Sequence, residues 1–493
     1  MPRRKTTTKR GERKSSRPPI VPATIAAAGA TVLETAVSAA ALAISSLPTD
    51  TRLGPMLKKI MSRIARESEP GGMARLTLDI GGDEPIFPMS LSVPSLEPQA
   101  GEGWSHYKER VSNTLGPTME WLKKNAGLNC EPIHSCNALQ TRGLIGQVRE
   151  ALKHEGLRLI EFDPPVVATL MDDAVKDIEL PLYKMRHPAL NDGSGVRVAV
   201  LDSGIDTKHP WLTVSDSVST CGESYDIPGK HATHVAGSIA SNDSIYSGIA
   251  PGVTLLNIKV LDSAGRGQPT FVTRGIDEAM DRGAHILCVS VGFNHLPTWS
   301  DGGHGWPCPD GRCQLCMAID NVVRLENVIA VVGAGNAHER CEFLRQNGSA
   351  DKFDTELSCP GQAREAITVG AVSKQTFVTA PFSSRGPTAF GLSKPDLAAP
   401  GINITSAFVV RHDAGGNVVT GLTRSDLSVT LSGTSMATPM VVGAVALIRQ
   451  RRASTGEDVR PDAIRQELLC AGFRHLTSPA SEVGVGRLNI ADL

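Results

Sequence analysis

From Val196 onward the chain alternates two textures. Short apolar runs bounded by glycine, at Val196–Leu201 (VRVAVL), Thr254–Val260, Ala284–Val291 and Val328–Gly333, have the length and β-branched content of strands. Between them, His231–Ala240, Phe271–Arg282 and Leu315–Leu325 carry apolar residues at helical spacing. Strands apolar throughout, rather than alternately, are buried on both faces. Separated by helices, they predict an α/β fold with a doubly wound, mostly parallel sheet that runs to the C-terminus. Reactive groups in such sheets gather at the carboxyl ends of the strands.

Upstream the pattern differs. Ala74–Ile80 (ARLTLDI) alternates like a strand, Tyr107–Asn125 and Gly146–His154 have amphipathic helical spacing, and Leu157–Phe162 and Val166–Met171 have strand texture. These predict a small α+β unit. Three regions follow: a basic and Ala-rich segment over residues 1–70, an α+β unit over 71–176, and the sheet domain over 177–493.

Formal net charge is −1, which implies no nucleic-acid partner. The exception is residues 1–19, with eight Lys/Arg against one Glu. The following Ile20–Leu47 is apolar and Ala-rich, and a basic start before an apolar run is the outline of a secretory signal. Glu34 and the weak apolarity of alanine suit an amphipathic helix equally well, so secreted and cytoplasmic locations both stand. No other segment has the make-up of a membrane span.

Ten cysteines include a C-x4-C-x2-C cluster, Cys308, Cys313 and Cys316, followed by Cys341 and Cys359, with Cys130 and Cys136 far upstream. Disulfides are the first expectation. A structural zinc held by the three clustered cysteines with His304 or Cys341 is the second, and free thiols the third.

Four stretches carry chemistry. Ser432–Ile448 (SGTSMATPMVVGAVALI) is a loop-to-helix junction that presents the hydroxyl of Ser435 among small residues, where a helix N-terminus favours negative charge. Taken alone, Ser435 is as well explained as a helix cap. Asp202 ends the first strand (VAVLDSGID), and a carboxylate there needs a partner such as an imidazole. His231 heads HATHVAGSIA. With His234 it admits a metal pair, but the zinc-protease pattern HExxH is missing because Ala232 follows. Asn336 follows the strand that ends in VVGAGN and offers an amide N–H for a developing oxyanion.

These stretches resemble the subtilisin-like serine proteases, the subtilases, over about Asp177–Leu493. DSGID resembles the family's aspartate motif, HATHVAG its histidine motif, GAGN its oxyanion asparagine motif and GTSMATP its serine motif. The order along the chain agrees, as do GIAP at Gly248, SVG at Ser290, FSSRG at Phe382, KPDLAAPG at Lys394 and GVGRLN at Gly484. The resemblance implies an endopeptidase in which Ser435 attacks the scissile carbonyl, His231 moves the proton and Asp202 orients the imidazole. Asn336 and the Ser435 N–H would receive the oxyanion.

The resemblance further implies that a peptide or protein substrate pairs with backbone at Ser290, Val291 and Gly292 and at Gly265, Arg266 and Gly267. Pocket walls would come from Gly333, Ala334 and Gly335 and from Ser358–Gly361. Residues 73 to about 171 occupy the place of a propeptide, and LRLIEFDPPVVATL resembles a prodomain's final strand. This implies an intramolecular inhibitor and self-cleavage between about Pro164 and Lys184. The chain departs from the family at Ala232, which stands where glycine is usual, and in the short segment from His234 to Ile249, which lacks a calcium loop. Calcium is therefore optional and no cofactor is required. Asn294–Cys316 is an insertion placed to roof the cleft, its cysteines rigidifying a specificity loop. Two alternatives keep the same site: a processing protease restricted to one partner, and a catalytically silent peptide-binding scaffold.

Overall fold

The computed structural model describes residues 79–81, 84–92, 96, 98–99, 101–136, 138–157, 159–162, 175–296, 306, 308–348, 353–413 and 417–493. The expectations for residues 1–70, for most of Ala74–Ile80, for Val166–Met171 and for His304 lie outside them.

The N-terminal unit contains β1 (Asp79–Gly81), β2 (Glu84–Ser92), α1 (Trp104–Ala126), β3 (Cys130–Ile133), β4 (Ala138–Leu144), α2 (Ile145–Ala151) and β5 (Leu159–Phe162). Its antiparallel sheet runs β1-β2-β4-β3, with β5 also paired to β2. Helix α1 buries Tyr107, Val111, Leu115, Thr118 and Leu122, a stripe at three- and four-residue spacing, against this sheet. It ends at Gly127, which takes the left-handed conformation (φ 64°) and donates its N–H to Leu122.

The larger domain contains α3 (Leu180–Arg186), β6 (Arg197–Asp202), β7 (Val214–Ser219), α4 (Lys230–Ala240), β8 (Thr254–Lys259), α5 (Pro269–Asp281), β9 (Ile286–Val289), α6 (Gln314–Glu326), β10 (Ile329–Gly333) and α7 (His338–Gln346). It continues with β11 (Ile367–Val372), β12 (Leu397–Pro400), β13 (Ile404–Ala407), β14 (Ser428–Leu431), α8 (Thr434–Thr455), α9 (Pro461–Ala471), β15 (Phe473–Arg474), α10 (Ala480–Val483) and β16 (Arg487–Leu488). The main sheet has the order β15-β16-β12-β11-β10-β9-β6-β8-β7 and is parallel except for the β15–β16 pair. Every residue of β9 and β11 is buried, as strands covered on both faces require.

The strand order reverses at β6. The chain steps from β6 outward to β7 and β8 on one side, then returns to place β9 on the other. Such a switch point opens a crevice beyond the carboxyl ends of the two strands, because the connections leave in opposite directions. Helix α8 lies over β9, β10, β11 and β12 and against α4. Its first four turns are buried nearly all round, which fits a helix with no polar face there. At Gly443 it approaches so closely that a Cβ would stand 2.5 Å from Ile249. Pro439 lies inside α8 and removes the N–H that would otherwise bond the Ser435 carbonyl one turn back.

Candidate active site

Asp202 is the last residue of β6 and is fully buried. One carboxylate oxygen accepts the backbone N–H of Ser203 at 2.6 Å, and the other accepts Nδ1–H of His231 at 2.6 Å. His231 occupies the first turn of α4, 4% exposed. Gly229, the residue before that helix, lies where a Cβ would strike Ser203 Oγ at 2.1 Å, so only glycine lets α4 start this close to β6. With Nδ1 committed to Asp202, Nε2 of His231 is buried and has no hydrogen-bond partner among the described residues.

Ser435 lies in the first turn of α8, 6% exposed, and its hydroxyl donates to the carbonyl of Ser290 at 2.8 Å. Ser290 directly follows β9, and Val289 is register partner to Leu201 of β6. The carboxylate and the hydroxyl thus stand at the carboxyl ends of adjacent strands, on the two sides of the switch point. Asn336 is exposed beyond β10. Its Oδ1 accepts both the backbone N–H of Thr434, at 2.9 Å, and the Thr434 hydroxyl, at 3.0 Å. That oxygen is held on the Thr434 side, which leaves the NH2 on the other.

The other expected residues divide into two groups. Ser290, Val291 and Gly292 leave β9 beside Ser435, and Phe293 then bridges to Cys359. Gly333, Ala334 and Gly335 leave β10 beside Thr434, with Gly335 N–H on Thr434 Oγ1 at 3.2 Å and Ser358 N–H on the Ala334 carbonyl at 2.9 Å. Gly335 has φ 107°, and a Cβ there would meet Ser358 Oγ at 2.2 Å. Gly265, Arg266 and Gly267 instead form a turn beyond β8, organised by Asp262: its carboxylate accepts Arg266 N–H at 2.8 Å and pairs with the exposed guanidinium at 2.9 Å. No hydrogen bond joins this turn to Ser290–Gly292 among the described residues.

Several contributors carried no role in the sequence reading. Thr434 fixes the Asn336 amide, and Ser384, within the FSSRG motif, accepts Ala337 N–H at 2.9 Å. Lys259, register partner of Asp202, is fully buried with Nζ on the carbonyls of Ser203 and Ile227 and on Glu223, bracing the loop after β6. A lysine ending a strand run is a polar break that could have flagged it, because a buried ammonium requires such partners.

His234 serves differently from His231. Its Nε2 bonds the Val429 carbonyl at 3.2 Å, so the two rings do not share a ligand position. Burial, reinforced by His231 nearby, pushes its pKa down from 6.5 to about 3. Between those values the unfolded chain binds a proton that the folded chain refuses, so this residue lowers stability as pH falls through 6.5 and has no such effect above it. The contribution at pH 5 is about 2 kcal/mol. His234→Asn is therefore expected to narrow the gap in melting temperature between pH 8 and pH 5; an unchanged gap counts against this assignment.

Cys130, Cys221, Cys288, Cys308, Cys313, Cys316, Cys341, Cys359 and Cys470 are free thiols, which corrects the disulfide expectation for those residues. Cys341 packs with Leu296, Ala337 and Leu344, apart from Cys308, Cys313 and Cys316. No helix among the described residues is long and apolar enough to cross a membrane.

The fold and site define a class: a parallel α/β protein with a hydroxyl, an imidazole and a carboxylate gathered about one switch point. The sequence profile of the subtilase family matches residues 193–484. The chain is 31% identical to "Subtilisin E" of Bacillus subtilis (strain 168) over 323 residues, covering 63% of this chain and 72% of that protein. It is 33% identical to "Subtilisin" of Bacillus pumilus over 289 residues, 57% of this chain and 87% of that one. It is 31% identical to "Serine protease AprX" of Bacillus subtilis (strain 168) over 323 residues, 60% and 65%. The chain belongs to the subtilase family and is a subtilisin-like serine peptidase.

Proposed function

We propose that the protein is an endopeptidase that hydrolyses peptide bonds through Asp202, His231 and Ser435, with Asn336 as an oxyanion donor. The observation that carries this reading is the 2.6 Å bond from His231 Nδ1 to Asp202 Oδ2, which leaves Nε2 as the basic atom, combined with Ser435 at the neighbouring strand end. Rotation of the Ser435 hydroxyl away from the Ser290 carbonyl frees it to give its proton to Nε2 as Oγ attacks the scissile carbon. Such bonds commonly tighten only once substrate is bound. The protonated imidazole, stabilised by Asp202, then hands its proton to the leaving amine, and water repeats the sequence on the acyl-enzyme. The Asn336 NH2 and the Ser435 backbone N–H, which lies at a helix N-terminus, would receive the charge on the carbonyl oxygen. An extended substrate would lie along Ser290–Gly292 on one side and the Gly265–Gly267 turn on the other, with its side chain between Gly333–Gly335 and Ser358.

The same reading gives residues 71–176 a regulatory role and residues 177–493 the catalytic one. The N-terminal unit rests on α5 and α6. Asp277 accepts the backbone N–H groups of His134 and Ser135 at 3.0 and 3.1 Å, Asn321 donates to the Ser135 carbonyl at 2.8 Å, and Trp104 Nε1–H donates to Asp281 at 3.0 Å. Tyr107, Leu115 and Leu122 belong to the same apolar core as Ile319 and Val322. A folded unit docked this way can stabilise a parallel sheet whose long-range pairings form slowly. Downstream, Ile178, Leu180 and Tyr183 are buried in the sheet domain and Ile490 N–H bonds the Ile178 carbonyl at 2.9 Å. Self-cleavage would therefore fall between residues 163 and 174, upstream of that buried segment.

A fluorophosphonate probe is expected to label the purified chain on Ser435, and Ser435→Ala to abolish both labelling and the new N-terminus within 163–174. Labelling that survives Ser435→Ala defeats the nucleophile assignment. Cleavage of a protease-free Ser435→Ala chain at that position defeats self-processing alone.

A further inference from the structure

Four cysteines from two separate stretches, three in the insertion and one far downstream, meet at one point beneath the cleft wall. The Sγ atoms of Cys308, Cys313, Cys316 and Cys359 all lie within 4.8 Å of one another, with Cys308 to Cys316 at 3.9 Å and Cys316 to Cys359 at 3.7 Å. Cys308, Cys316 and Cys359 are buried and Cys313 is half-buried. Sulfurs around one tetrahedral zinc, each about 2.3 Å from the ion, stand about 3.8 Å apart. Disulfide-bonded sulfurs stand at about 2.05 Å. Packing alone gives no reason to bring four thiols to a single point, since each could have faced an apolar neighbour.

We propose that Cys308, Cys313, Cys316 and Cys359 form a structural zinc site. The fourth ligand is Cys359, forty-three residues beyond Cys316 in sequence, rather than Cys341, which packs elsewhere. The surroundings suit a negatively charged tetrathiolate. Cys313 is the N-cap of α6 and Cys316 lies in its first turn, so the positive end of the helix faces the sulfurs. The Cys313 backbone N–H points at Cys308 Sγ at 3.4 Å. The Gln362 amide places its nitrogen 3.5 Å from Cys359 Sγ and 2.8 Å from His295 Nε2, while its oxygen accepts Ala389 N–H at 2.7 Å. Outer partners of this kind fix ligand orientation and tune the metal. The buried Trp306 indole packs on Phe293 over the same region, with ring centroids 5.4 Å apart.

The ion ties the insertion to the wall of the cleft. Cys359 exchanges two backbone hydrogen bonds with Phe293, each 2.8 Å, and its neighbour Ser358 donates to Ala334. Holding Cys359 therefore holds both the strand end that carries Ser290–Gly292 and the segment facing Gly335. This second consequence rests on the proposed cleft; the metal site itself does not.

The test uses the full chain, purified in the presence of zinc and a reductant and then dialysed. Elemental analysis is expected to find one zinc per chain, released when a mercurial blocks the thiols. Cys359→Ser is expected to lower zinc content about tenfold or more, whereas Cys341→Ser leaves it unchanged. If Cys359→Ser fails to fold, the unmutated chain loaded with cobalt(II) decides. Intense tetrahedral bands with a thiolate charge-transfer absorption support the site, and a weak six-coordinate spectrum overturns it. Four freely titrating thiols in a zinc-free folded chain, or disulfides mapped among these cysteines, also overturn it. If zinc is present but its removal leaves KM for long peptides unchanged, the link to the cleft fails while the site stands.

Discussion

Replacing His231 by alanine is expected to lower kcat about 10⁶-fold, a loss of about 8 kcal/mol of transition-state stabilisation, with KM nearly unchanged. The magnitude is one measured on subtilisin and carried over to this relative. The reasoning is local. The ring is buried, its Nδ1 is spent on the Asp202 carboxylate, and Nε2 is left without a partner among the described residues, which in the proposed mechanism makes it the base for Ser435. Without the ring the hydroxyl has the Ser290 carbonyl as its partner, which cannot take up a proton at neutral pH. The substrate contacts proposed along Ser290–Gly292 and Gly333–Gly335 are backbone groups that the substitution does not remove, so binding should persist. The measurement is kcat and KM on a peptide substrate, with circular dichroism to show that the fold survives. A loss under about a hundredfold in a folded variant means that another group is the base.

Asp202→Asn is expected to lower kcat about 10⁴-fold with almost no change in fold. The size follows from tautomer control rather than from charge alone. Ser203 N–H needs an acceptor at 2.6 Å, so the asparagine oxygen must turn to that side and its NH2 must face His231. Nδ1 then has to accept, the ring proton moves to Nε2, and that atom can no longer take a proton from Ser435. Steady-state kinetics check this, and neutron or NMR detection of the Nε2 proton checks its cause. A variant that retains activity while keeping a proton on Nδ1 would break the argument.

The N-terminal unit shows why part of the fold was hidden in the sequence. Strands β2, β3 and β4 have no counterpart in the hydrophobic pattern. Strand β2 contains Pro85 and Pro88, β3 contains Pro132, and β4 (ALQTRGL) mixes Gln, Thr, Arg and Gly among few apolar positions. Proline ordinarily argues against a strand interior because it donates no ladder bond. Here β4 still pairs β2 over seven residues, so tertiary context overrides local preference. In the sheet domain, by contrast, the strands expected at Val196–Leu201, Thr254–Val260, Ala284–Val291 and Val328–Gly333 overlap β6, β8, β9 and β10, because burial on both faces leaves an unbroken apolar run. Strands β11 and β12 went unassigned: Gly370 interrupts the first, and the second is a four-residue LAAP.

Chemical identity was a property of the sequence alone: which strand ends carry a carboxylate and an amide, which helices begin with an imidazole and a hydroxyl, and that three cysteines cluster in one insertion. These are matters of residue type and local period, and local period is what a chain displays along its length. Tertiary structure alone decided the partners. It set the Ser435 hydroxyl on Ser290, 145 residues away, turned the Asn336 oxygen toward Thr434, 98 residues away, and brought Cys359 to the other three sulfurs. The physical reason is that strand order, unlike strand position, depends on how the crossovers close. The reversal at β6 is what brings distant strand ends to one crevice.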